Sequence, residues 1–304
     1  MRLLRTIAVF LTFTSGAAMV AAAQPARPVP YALPGTAVHE LRAANLGRDY
    51  QLFVSLPDSY GTSNRSYPVV FATDANYAFP VIRAIAARAG DGGRHIGEFI
   101  LVGLSYAKGD TVGYSRRRDY TISPNAAEKA VSDMPGRPAR FGEAEGYRLF
   151  LDQVAMPFVA RHYRADMSRA VFVGHSYGSL LGIHIMFTKP SMFSHYILGS
   201  PSLWFDRRVA FQREREYAAA HRDLPARVYF AIGEYETLKP GSRDARYNNE
   251  HDMVRDLELF HRTLSGRGYR NLRTEMRVIA DEDHLTLAPL LFTRGLKWAL
   301  PGAR

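Results

Sequence analysis

A serine between two glycines, Gly174-His175-Ser176-Tyr177-Gly178, follows the apolar run Ala170-Val171-Phe172-Val173 and opens a segment with helical spacing, 177–189. Strand, sharp turn and helix in that order are what a nucleophile elbow requires. Glycines let the backbone pass close on either side of a strained serine, whose hydroxyl then projects above the carboxyl edge of a sheet. A serine hydroxyl is a weak nucleophile at neutral pH. It needs a base to take its proton and a carboxylate to hold that base in one tautomer.

In enzymes of this layout the chain order is serine, acid, histidine, so the base is sought after Ser176. His184, His195, His221, His251, His261 and His284 qualify by position. His184 lies in the helix after the elbow, and His195 precedes a strand at the wrong end of the sheet. His221, His251 and His261 fall in polar helical segments. His284, in the turn Asp281-Glu282-Asp283-His284 between the last strand and the last helix, is the base that the pattern selects. The acid belongs to the loop after the preceding strand, where Glu234-Tyr235-Glu236 offers two carboxylates. Local pattern does not choose between Glu234 and Glu236, and Asp281 and Asp283 are too near His284 in sequence to approach it across the sheet edge.

An oxyanion hole needs two backbone N–H donors. One comes from the residue after the nucleophile, Tyr177, and the other from the loop after an earlier strand, at Ala75 or Asn76. For substrate contacts the Arg116-Arg117-Arg118 run is expected to overhang the site and hold an anionic ester by paired hydrogen bonds. Tyr120 and Trp204 are expected to stack on aromatic rings, although Arg118-Asp119 also reads as a structural ion pair. Neither a metal nor an organic cofactor is called for.

Elements that would carry these residues alternate along the chain. Residues 38–46 and 49–56 alternate apolar and polar around a turn, an antiparallel hairpin. Short apolar runs at 69–72, 99–104, 170–174, 196–199, 228–233 and 275–280 suit strands buried on both faces of a parallel sheet. Helical spacing marks 81–89, 147–162, 177–189, 209–221, 251–266 and 287–299. The fold expected is α/β: a mostly parallel central sheet, the hairpin at its start, helices on both faces. Residues 105–145, Gly-rich, Pro-containing and charged, read as a long loop insertion, of a length usual for functional lids or disordered segments.

With 304 residues, 47% hydrophobic and 22% charged, the chain is globular in composition. It has no Cys, which excludes a disulfide scaffold, Cys-ligated metal and a Cys nucleophile. The formal charge is +10, but only five of its 39 basic residues are Lys, and no nucleic-acid recognition module is present. Residues 1–23 carry Arg2 and Arg5, an apolar run and then three alanines, the order of a cleaved secretory signal. That run is short for a membrane span, and a Pro-rich linker, 24–37, follows. A single domain at 38–304, secreted across the inner membrane into the periplasm without stable membrane insertion, is expected.

The GHSYG pentapeptide, with Arg117-Arg118-Asp119-Tyr120-Thr121, Ser200-Pro201-Ser202-Leu203-Trp204, Gly233-Glu234-Tyr235-Glu236 and Asp283-His284, resembles the "Putative esterase" group of α/β-hydrolases. Within it the likeness is greatest to enterochelin and salmochelin (trilactone siderophore) esterases, over about 38–298. The resemblance implies a serine esterase acting on a small-molecule, anionic or catecholate ester through Ser176 and His284, and it favours Glu236 over Glu234. Ser179 departs from the usual Gly. The readings weighed against this one are a carbohydrate (feruloyl or acetyl) esterase or acyltransferase on the same scaffold, and a non-catalytic binding protein.

Overall fold

The computed structural model describes residues 30–124 and 130–302. The segment 1–23 expected to be a secretory signal and the expected linker as far as residue 29 lie outside the described residues.

Six continuous apolar residues, Tyr67–Ala72, form β3 and are buried throughout, as a strand covered on both faces must be. Around it lie the hairpin strands β1 (Thr36–Ala43) and β2 (Arg48–Ser55), with β4 (Ile100–Ala107), β5 (Ala165–His175) and β6 (His195–Gly199). The last two strands are β7 (Arg227–Gly233) and β8 (Arg273–Ile279). Among the described residues these make one eight-stranded sheet in the order β1-β2-β4-β3-β5-β6-β7-β8. β1 is antiparallel to β2, and β2 to β4, while every neighbouring pair from β4 to β8 is parallel. This is the expected α/β-hydrolase arrangement.

The helices are α1 (Ala75–Ala89), α2 (Val112–Tyr120), α3 (Ala144–Phe150), α4 (Met156–His162), α5 (Tyr177–Thr188), α6 (Phe205–Ala220), α7 (Met253–Gly266) and α8 (Leu287–Ala299). A π turn, Leu151–Ala155, joins α3 to α4. Two glycines show how helices reach opposite faces of the sheet. A side chain at Gly295 of α8 would strike Ile197, whereas one at Gly182 of α5 would strike Leu198 and Phe172. Ile197 and Leu198 are successive residues of β6 and so point to opposite faces, which puts α8 on one side and α5 on the other. Phe172, wholly buried under α5, contributes about 1.5–3 kcal/mol by leaving water.

Three expectations are corrected. α1 begins six residues earlier than its apolar spacing indicates and carries Pro80 inside it; a proline lacks only one helical donor, and buried Phe79 and Ile82 hold the helix to the sheet regardless. The stretch 105–145 is not a loop throughout, because α2 lies within it. The buried side of α2 includes Ser115, Arg118 and Asp119 rather than aliphatic residues, so it has no apolar period to read. β1 also begins at Thr36, inside the stretch read as linker. Among the described residues no helix is long and apolar enough to cross a membrane.

Candidate active site

β5 delivers Ser176 to the carboxyl edge of the sheet at φ 58°, ψ −119°, a conformation costing a non-glycine residue about 1–3 kcal/mol. The surroundings impose it. Ser176 N–H donates to the carbonyl of Gly199 (3.0 Å), and its own carbonyl accepts from Leu180 N–H (3.1 Å) at the start of α5. A Cβ on Gly174 would lie 2.4 Å from the Gly178 carbonyl oxygen, and one on Gly178 would lie 2.4 Å from Thr73 Oγ1. Both glycines are therefore required by close approach. Ser179, where Gly is usual, is fully buried and points its hydroxyl at the carbonyls of Gly174 (2.9 Å) and Gly199 (2.7 Å), tying β5 to β6 beneath the elbow.

The β7 and β8 loops are fastened together. Gly233, at the end of β7, leaves room for the Glu282 carbonyl, whose oxygen a Cβ there would approach to 2.4 Å. Tyr235 N–H donates to that same carbonyl (3.0 Å). Asp283 shapes the turn by accepting from Leu285 N–H (2.8 Å) and Thr286 N–H (2.9 Å). His284 is thereby set beside the elbow: its ring centroid is 4.7 Å from that of His175. Its Nδ1–H donates to Glu236 Oε2 at 2.7 Å. Glu236 is 1% exposed, and its Oε1 accepts from Gly233 N–H (2.9 Å) and Ser200 Oγ (2.5 Å). Glu234 is exposed and instead accepts from Asp281 N–H (3.1 Å). Asp281 itself takes bonds from Tyr235 and Arg246. The pair Glu236 and His284 borders a cavity of about 230 Å³ shared with Tyr235, Arg246, Asn248 and Leu285.

The Ser176 hydroxyl lies 3.3 Å from Ser202 Oγ, and among the described residues no hydrogen bond joins it to His284. His175, next to Ser176 in the chain and beside the His284 ring, has Nε2 buried without a hydrogen-bond partner. Burial, then the neighbouring His284 and Arg116, pull its pKa down to about 3, so it stays neutral.

Ala75 and Asn76 open α1, where helix geometry leaves the first N–H groups without intrahelical partners. Their loop is drawn to the elbow by Thr73 N–H donating to the Val173 carbonyl (3.0 Å) and by the contact of Thr73 with Gly178. Tyr177 N–H starts α5 on the other side.

The arginine run divides by direction. Arg116 reaches the elbow, donating to Asp74 (2.8 and 3.3 Å) and to the His175 carbonyl (3.4 Å). Arg117 turns away to Asp133 and the Val131 carbonyl. Arg118, 3% exposed, makes a fork to Asp119 (2.8 and 3.0 Å) and pairs with Asp110 (2.7 Å). Asp119 also accepts from Arg48 and Tyr50, and burial pushes its carboxyl up to about 6. Arg118 is thus held in a buried structural ion-pair network with its hydrogens directed at Asp119 and Asp110, and Asp119 fastens α2 to the hairpin. Tyr120 is likewise corrected: it is 2% exposed and packs on Tyr147 (5.6 Å between rings). Trp204 stays half-buried near Tyr177 (6.2 Å), but one of its faces stacks on His251 at 4.4 Å, bordering a cavity of about 430 Å³ with Arg207 and Leu238. Sequence reasoning missed the supporting roles of Ser200 and Ser202. Two hydroxyls flanking a proline just past a buried strand were the available signal.

A parallel sheet with an antiparallel start, a serine elbow after β5 and a histidine–carboxylate pair on the β7 and β8 loops define a serine hydrolase of the α/β-hydrolase class. The family model described as "Putative esterase" matches residues 43–259, and the chain belongs to that family of ester-hydrolysing enzymes. It is similar to the ferri-bacillibactin esterase BesA of Bacillus subtilis (strain 168), 29% identical over 275 residues, 89% of this chain and 91% of that protein. It is similar also to the siderophore triacetylfusarinine C esterase of Aspergillus fumigatus, 29% identical over 289 residues, 89% of this chain and 94% of that one. Among solved structures, BES protein from Bacillus cereus shares the fold with a TM-score of 0.73 and 22% identity, covering 90% of this chain and 99% of that one.

Proposed function

We propose that the protein is a secreted esterase that hydrolyses siderophore esters of the trilactone type through a Ser176–His284–Glu236 triad and an acyl-enzyme. His284 takes the proton of Ser176 as its oxygen attacks the ester carbonyl. Glu236 holds the imidazole with Nδ1 protonated, leaving Nε2 free to accept. The N–H groups of Tyr177 and of Ala75 or Asn76 receive the oxyanion. The protonated histidine then gives its proton to the leaving alcohol, and water, deprotonated by the same imidazole, releases the acid and restores Ser176.

The observation that carries this reading is the buried carboxylate of Glu236 locked onto His284, whose ring stands 4.7 Å from that of the residue before the elbow serine. The relatives named as esterases of ferri-bacillibactin and triacetylfusarinine C support a siderophore substrate. The charged, apolar, small-residue order of 1–23 supports secretion to the periplasm, with one domain following the linker.

The test uses protein lacking residues 1–23. It is expected to cleave short p-nitrophenyl esters, with Ser176→Ala lowering turnover by about 10³-fold or more. In a panel of cyclic catecholate trilactones, feruloyl sugars and simple acyl esters, the trilactones should give the highest kcat/KM. A preference for feruloyl sugars would transfer the enzyme to the carbohydrate esterases, and equal rates for wild type and Ser176→Ala would remove the mechanism. Cell fractionation with N-terminal sequencing, expected to show a chain beginning at Gln24 in the periplasm, tests the address.

A further inference from the structure

Asp74 precedes α1 with φ 58° and ψ 46°, the left-handed region that costs any residue with a Cβ. An aspartate before a helix ordinarily caps it with its own carboxylate. This one makes no such bond. Its Oδ1 instead accepts from Arg116 Nε (2.8 Å) and Tyr106 Oη (2.9 Å), and its Oδ2 from Arg116 Nη2 (3.3 Å). The same Nη2 reaches the His175 carbonyl at 3.4 Å, and the guanidinium stands 5.8 Å from the centre of the Tyr177 ring. One guanidinium therefore spans the residue before Ala75 and Asn76 and the turn before Tyr177. The paired side chains are 23% and 13% exposed, so water screens them poorly. A Cβ on Gly178, one residue beyond Tyr177, would lie 3.5 Å from Asp74 Oδ2, which puts this carboxylate beside the place where negative charge develops.

We propose that Arg116 is a positioning residue that holds Asp74 in its left-handed conformation and cancels its charge, so that the two halves of the oxyanion hole converge with no free carboxylate beside them. The inference rests on the esterase reading above. It assigns Arg116 to the loop that forms the hole instead of to the substrate, because its Nε and Nη2 hydrogens are already directed at Asp74 and His175. Burial works against the guanidinium charge, but Asp74 outweighs it and keeps Arg116 ionised.

Four proteins test this on a neutral substrate, p-nitrophenyl butyrate: wild type, Arg116→Ala, Asp74→Asn and the double variant. Arg116→Ala should lower kcat by about 10²-fold, comparable to losing one oxyanion donor, with KM within about twofold. Adding Asp74→Asn should restore about tenfold of that loss, because Asn carries no charge and tolerates the left-handed conformation. Circular dichroism and thermal melts check folding. Should Arg116→Ala not fold, Arg116→Lys keeps the charge without the fork, and its expected loss of kcat lies between wild type and about 10²-fold. A rise in KM at unchanged kcat, or a double variant no faster than Arg116→Ala, would overturn the proposal; for Arg116→Lys, an unchanged kcat would do so. Ser176→Ala, run alongside, separates the two failures. If it turns over like wild type the esterase reading has failed, and if it is inactive while Asp74→Asn gives no recovery, only the role of Arg116 has.

Discussion

Glu236 and His284, 48 residues apart in the chain, meet at 2.7 Å between Oε2 and Nδ1. The other carboxylate oxygen is held by a backbone N–H on Gly233 and a hydroxyl on Ser200. A buried carboxylate with both oxygens occupied has little freedom to rotate, and the imidazole inherits that order.

Removing the charge tests the relationship directly. Glu236→Gln is expected to lower kcat by about 10²–10⁴-fold, because an amide that donates to Nδ1 stabilises the wrong tautomer. Glu234→Gln, exposed and bonded only to a loop N–H, should leave kcat within about twofold. Steady-state kinetics on one ester suffice, and the reverse ranking would give the role to Glu234.

Ser200 separates hydroxyl from backbone. It sits at φ 43°, so Ser200→Gly removes the bond to Glu236 and relieves the conformation, whereas Ser200→Ala removes the bond alone. Both should lose about tenfold in kcat, in line with about 1–1.5 kcal/mol for one hydrogen bond. In urea titrations Ser200→Gly should be the more stable by about 1 kcal/mol; equal stabilities would show that the backbone there carries no strain.

The elbow glycines should differ in what they tolerate. A methyl on Gly174 meets the backbone of Gly178 at 2.4 and 2.5 Å, whereas on Gly178 it first meets a side chain, Thr73. Backbone cannot swing aside as a hydroxyl can. Gly174→Ala is therefore expected to cost about 3 kcal/mol or more in denaturant unfolding, and Gly178→Ala less.

His175 predicts an acid limb in stability. Its folded pKa is lowered from 6.5 to about 3, chiefly by burial, so below pH 6.5 the unfolded chain binds the proton more readily. The stability associated with its neutral ring is present above pH 6.5 and is lost as pH falls toward 3. Unfolding midpoints measured at pH 7.5 and 4.5 should drop further for wild type than for His175→Gln, and equal drops would assign the acid sensitivity elsewhere.

Most of the sheet was legible because strands buried on both faces leave unbroken apolar runs, as at 69–72 and 228–233. α2 was not legible, because Arg118 and Asp119 lie on its buried side and are satisfied by partners from β2 and the loop before the helix. That is also why a charged run read as a substrate clamp proves to be largely a structural tie. The placement of Ser176 between strand and helix, and of His284 between the last strand and the last helix, was readable from local order alone.

The choice between Glu236 and Glu234 belongs to the folded state. Two identical side chains two residues apart have the same local propensities, and only Gly233 N–H, Ser200 and the incoming His284 distinguish them. The same holds for Arg116, Arg117 and Arg118, whose chemistry is common and whose directions are set by the turn of one short helix. Residue types and their order along the chain thus specified which chemistry was available, because an elbow and a strand are local patterns. Which of several equal groups performs it depended on contacts between distant segments, since burial and hydrogen-bond partners exist only once the sheet has brought those segments together.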